Sequence, residues 1–90
     1  MKIKSGYSVI QINGQYVVQG TNIKEIIILG EISLFLWNEL KDKEFSKNEM
    51  LDLLLEKFEI STVLALGEID KFVRVLKENG IIEGTSENFV

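Results

Sequence analysis

Two runs rich in β-branched and aromatic residues, YSVIQI (Tyr7–Ile12) and QYVVQ (Gln15–Gln19), stand on either side of Asn13-Gly14. A two-residue hairpin loop of the favoured twist needs positive φ at both central positions, and Asn-Gly meets that need with little strain. This pairing predicts an antiparallel hairpin joined by a tight turn. Gly20-Thr21-Asn22 then punctuates the end of the second strand.

The densest apolar stretch follows, IIILGEISLFLWNEL from Ile26 to Leu40. It is not a membrane span, because Glu31 interrupts it and its length falls short of the ~20 apolar residues that a crossing requires. Its two halves have different periods. Ile26-Ile27-Ile28-Leu29 is a β-branched run and reads as a third strand, broken by Gly30. Beyond it Ile32, Phe35, Leu36 and Leu40 recur at helical spacing, with Trp37 beside them and the Glu31 anion in the first turn.

Two further helices complete the chain. Ser46-Lys47-Asn48-Glu49 has the spacing of a capping box, with Phe45 and Met50 placed for a hydrophobic staple. Met50, Leu51, Leu54, Leu55 and Phe58 mark the buried face of this second helix. Ser61 or Thr62 caps the third, whose stripe is Leu66, Ile69, Phe72, Val73 and Leu76, and Asn79-Gly80 ends it, with Gly80 as a left-handed cap. Ile81-Ile82 is expected as a short extended piece against the core. The fold class is thus α+β: a three-stranded antiparallel sheet followed by a three-helix bundle, winged helix-turn-helix-like. With 90 residues there is room for one domain, assigned to 1–83, and residues 84–90 are expected to form a flexible C-terminal tail.

Composition removes whole classes of chemistry. With no Cys and no His, disulfides, thiolate or Ser–His nucleophiles and the preferred zinc and haem ligands are all missing. No GxGxxG or GxxxxGK[ST] motif is present for phosphate. We therefore expect no metal and no cofactor. The MKIKSGYSV start lacks the apolar core of a signal peptide, which gives a cytoplasmic expectation.

Three readings remain. Helices two and three could form a DNA-reading pair, but the net charge of −4 and a third helix carrying Glu68, Asp70, Lys71, Arg74, Lys77 and Glu78 make a poor phosphate stripe. A structural adaptor subunit would need nothing beyond the core. The third reading starts from the third strand: an uncharged, proline-free strand at a sheet margin exposes backbone groups that a partner peptide can pair with. Its candidate site is the stretch Glu25, Ile26, Ile27, Ile28 and Leu29, facing Leu64, Glu68, Lys71 and Val75 at i, i+4, i+7 and i+11 of the third helix, with Arg74 beside them. Backbone bonds worth ~4 kcal/mol and two apolar anchors of ~1.5–3 kcal/mol each, less an ordering cost of ~2–5, give an upper affinity of roughly micromolar.

The order and spacing of four segments carry a resemblance. These are Gly6-Tyr7 through Ile12-Asn13-Gly14-Gln15-Tyr16-Val17-Val18; Ile28-Leu29-Gly30-Glu31 through Leu36-Trp37-Asn38-Glu39-Leu40; Ser46 through Leu55-Glu56-Lys57-Phe58; and Ile69 through Phe72-Val73, Leu76 and Gly80-Ile81-Ile82. Over about residues 2–83 the chain resembles the PqqD-like family, the precursor-peptide recognition elements of ribosomally made and modified peptides. The resemblance implies a non-catalytic peptide chaperone. Such a protein binds a precursor leader peptide on the third strand and third helix and presents it to a modifying enzyme, a radical-SAM enzyme or a leader protease/cyclase. It implies no nucleic acid partner. The chain departs from the family pattern at Leu29-Gly30, where Leu-Asn is common, at Glu68 in place of an aspartate, and in its short proline-free Gly20–Lys24 connection.

Overall fold

The computed structural model describes residues 1–83, and the expected tail at 84–90 lies outside the described residues. The strands are β1 (Lys2–Ile3), β2 (Ser8–Ile12), β3 (Gln15–Gln19), β4 (Ile28–Leu29) and β5 (Ile82–Glu83). The helices are α1 (Glu31–Leu40), α2 (Lys47–Lys57) and α3 (Thr62–Glu78).

Asn13 (φ 51°) and Gly14 (φ 79°) both take the left-handed conformation, and Ile12 pairs with Gln15 across them. This is the two-residue turn that the sequence demands. β3 then pairs antiparallel with β4, giving the sheet order β2-β3-β4. Where the hairpin leaves the sheet, a side chain at Gly20 would collide with the Tyr7 ring, and the Tyr7 hydroxyl donates to the Thr21 carbonyl at 3.0 Å. The ring thereby fixes how the chain turns toward β4.

The helix ends follow local chemistry. Ser46 and Glu49 form a reciprocal capping box, with Ser46 N–H donating to Glu49 at 2.8 Å and Glu49 N–H to Ser46 Oγ at 3.2 Å. Flanking Phe45 and Met50 are both buried, as a hydrophobic staple requires. Ser61 Oγ accepts from Leu64 N–H at the start of α3. At its end Gly80 (φ 69°) reverses the chain, Ile81 N–H reaches the Leu76 carbonyl and Gly80 N–H the Lys77 carbonyl. That pair of bonds is a Schellman closure, and buried Leu76 and Ile81 accompany it.

The core runs through all three helices: Leu36 and Leu40 of α1, Met50 and Leu54 of α2, and Ile69 and Leu76 of α3 are fully buried. Val18, Ile27 and Leu29 cover it from the sheet side.

Several expectations are corrected. Ile32 and Phe35 are only half-buried, while Trp37, expected at the core or its edge, lies in the core. On α2 Leu55 is exposed, and on α3 Ala65 sits in the core while Leu66, at the stripe's rim, is 41% exposed. The third strand is shorter than Ile26–Leu29: the ladder covers Ile28–Leu29, extended by a bond from Val18 N–H to the Ile27 carbonyl at 3.0 Å. Upstream the chain bends at Glu25, where Asn79 of α3 grips it. A second sheet, β1 with β5, was not foreseen, although its Ile82 strand follows the expected extended piece. It ties both ends of the described chain to the core through buried Ile3 and Ile82.

If the reciprocal cap anchors α2, Ser46→Ala should lower the unfolding free energy by about 1 kcal/mol, read from the urea midpoint with an unchanged slope.

Candidate functional site

Which backbone groups of β4 face outward follows from the ladder. Tyr16 lies opposite Leu29 and Val17 opposite Ile28. Antiparallel pairs alternate between hydrogen-bonded and non-hydrogen-bonded. The Val18–Ile27 bond sets the phase, so Tyr16–Leu29 is a bonded pair and Val17–Ile28 is not. The N–H and C=O of Ile28 therefore point away from β3. Among the described residues no strand pairs with that side.

Side chains alternate as well. Ile27 and Leu29 are buried in the core, whereas Ile28 is 51% exposed on the opposite face, on one rung with Val17 and Ile10. Beside the open edge lies a cavity of about 110 Å³ between β4 and α3. Ile27, Ile28 and Leu29 line its strand side, and Phe72, Val75 and Leu76 its helix side. Lys71 and Ser33 supply its polar groups. The hollow continues past Lys71 to Glu68, Gly30 and the first turn of α1. Glu68 and Lys71 stand 4.0 Å apart with Lys71 exposed and Glu68 half-buried at the surface, an arrangement of little energetic weight.

The structure gathers most of the expected site residues. Ile27, Ile28, Leu29, Lys71 and Val75 line the cavity, and Glu68 lines its extension. Ile26 is 80% exposed just upstream of the ladder. Glu25 faces α3, where its carboxylate accepts from Asn79 Nδ2 at 3.2 Å. Leu64 continues the row of Glu68, Lys71 and Val75 but lies beyond the cavity, 62% exposed. Arg74 is exposed and does not line the cavity, because one residue before Val75 places it about 100° round the helix. Sequence reasoning treated Phe72 and Leu76 as core alone and passed over Ser33. The period of Phe72 and Leu76 places them on the core stripe, and they stay buried there while forming the floor of the hollow. Among the described residues no helix is long and apolar enough to cross a membrane, and no cluster of three potential metal ligands occurs.

The architecture defines a small α+β domain whose hollow is bounded by a bare strand edge and one helix. The family model described as "Coenzyme PQQ synthesis protein D (PqqD)" matches residues 15–82, and the chain belongs to that family. Both walls of the hollow, β4 and α3, fall inside the matched segment. No curated protein matches the chain. Among solved structures it is similar to TbiB1 in complex with the TbiA(beta) leader peptide, with a TM-score of 0.74 at 17% identity over 97% of this chain and 100% of that one. That likeness is one of fold.

The two faces of β4 should respond differently to substitution. Leu29→Ala is expected to cost about 2–4 kcal/mol, and Ile28→Thr to stay within about 0.5 kcal/mol of the parent, both by urea denaturation.

Proposed function

We propose that this chain binds the leader segment of a ribosomally synthesised precursor peptide by strand addition along β4, and presents it to a modifying enzyme. The observation that carries the proposal is the outward-facing N–H and C=O of Ile28, set beside a hollow that α3 walls with apolar side chains. Family membership and the fold shared with a protein solved in complex with a leader peptide support it.

In this reading the guest backbone pairs with Ile28 and, once Ile26 is drawn into line, with Ile26. Guest side chains directly opposite Ile28 lie on its exposed face. Their neighbours in sequence turn toward Phe72, Val75 and Leu76. Lys71 offers a cation at the rim for an acidic residue of the guest. In this reading, which family membership supports, the role is non-catalytic and the covalent chemistry falls to the partner, a radical-SAM enzyme or a leader protease/cyclase. The DNA-reading alternative gains nothing from the structure, since Asp70 on α3 is paired with Lys47 at 2.7 Å and Glu68 adjoins Lys71, which breaks up any basic stripe.

The test uses proline. Ile28→Pro deletes the outward N–H while leaving the bonds that Ile27 and Leu29 make to β3, and proline is tolerated on an edge strand with its nitrogen toward solvent. Titration with the leader of a precursor peptide sought in the gene neighbourhood should give a roughly micromolar Kd for the parent and a loss of at least about tenfold for the variant. Equal binding by both would overturn strand addition.

A further inference from the structure

Asn79 is buried, at 4% exposed, and its side-chain amide is fully engaged. Its Oδ1 accepts from Lys24 N–H at 2.9 Å, and its Nδ2 donates to the Val75 carbonyl at 2.9 Å and to the Glu25 carboxylate at 3.2 Å. Helix termination does not require this. The end of α3 is already closed by the backbone bonds of Gly80 and Ile81. What the side chain adds is a cross-link from the last turn of α3 to the stretch that enters β4.

That cross-link occupies a donor. Lys24 N–H lies just upstream of the open edge, and Asn79 has taken it. At the other end the Gly30 carbonyl accepts from Leu34 N–H at 2.8 Å as α1 begins. The edge is thus closed at both ends by the protein's own groups, with Ile26 and Ile28 between them.

We infer that Asn79 is a positioning residue that sets the register of the guest: it ends the open edge at Ile26, so that a bound peptide pairs only between Ile26 and Gly30. The inference rests on the peptide-binding reading and deepens it. A window of roughly five residues, each spanning ~3.3 Å, accepts one short extended segment and rejects a longer ladder or a slipped one. The same amide ties Lys24 and Glu25, at the strand's entrance, to the last turn of α3.

Amide hydrogen exchange of the full chain by NMR tests this, with and without the same synthetic leader peptide used in the titration. In the free protein Lys24 should exchange at least about tenfold more slowly than Ile26 and Ile28. Adding the peptide should slow Ile26 and Ile28 and leave Lys24 as it was. In Asn79→Ala, Lys24 should lose its protection, and the peptide should either extend its protection to Lys24 or bind about fivefold more weakly, while the Leu54 amide stays slow. Glu25→Ala leaves the Asn79 Oδ1 acceptor in place and should keep the Lys24 amide slow, and the slow Leu54 amide in Asn79→Ala separates register control from loss of fold. Lys24 exchanging as fast as Ile28 in the parent overturns the inference, as does an Asn79→Ala protein with unchanged affinity and unchanged pattern. A parent that ignores the peptide yet protects Lys24 refutes the peptide-binding reading and leaves the bounded edge standing.

Discussion

The bond from Val18 N–H to the Ile27 carbonyl fixes the phase of the β3–β4 ladder, and much else follows from that phase. Shifted by one residue, the ladder would turn Ile27 and Leu29 out to solvent and bury Ile28, because side chains and hydrogen-bonding groups both alternate with period two. The observed phase lets buried Ile27 and Leu29 anchor the strand to the core. It also sends the Ile28 backbone groups outward, toward an edge of the sheet that no described strand covers. Core stability and an available edge are consequences of the same register.

An open edge is ordinarily a hazard, since it invites pairing with any extended chain. Here it is short, with two residues in the ladder, and the protein's own groups bound it. α3 restricts it further. The helix is long enough for one face to supply core residues Ile69, Phe72, Val73 and Leu76 while the adjoining row, Glu68, Lys71 and Val75, lines the hollow. Phe72 and Leu76 belong to both, so the wall of the site is as rigid as the core it grows from. A guest would meet a preorganised surface, which lowers the entropy cost of binding on the protein's side and leaves that cost mainly with the peptide.

What the sequence made legible was local. Asn13-Gly14, the Ser46/Glu49 box and Gly80 each specify a backbone conformation through their own side chain or lack of one, and each appears where its chemistry places it. Gly30 stands between strand and helix as the N-cap of α1, in an extended conformation that any residue can take, so there the change of period was the signal. The open edge could be inferred because four apolar residues without charge or proline ran straight into a helix. The unforeseen features were non-local. A strand of two residues, such as Lys2–Ile3, has no period to detect, and its pairing with Ile82–Glu83 joins opposite ends of the domain. Leu66 and Leu55 fit helical spacing, but a stripe's width is set by what packs against it, and those two positions are left partly exposed.

Asn79 shows where such reading stops. An Asn before a Gly at the end of a helix is already accounted for as a terminator, so nothing local suggests a second role. Its partners, Lys24 and Glu25, lie more than fifty residues earlier and carry no motif. Only the fold brings them together, and burial then makes the contact matter: an amide at 4% exposure must find partners or destabilise the domain. The partners it finds are the backbone and carboxylate that lead into the open strand. The need to satisfy one buried amide thus decides where the vacant edge begins.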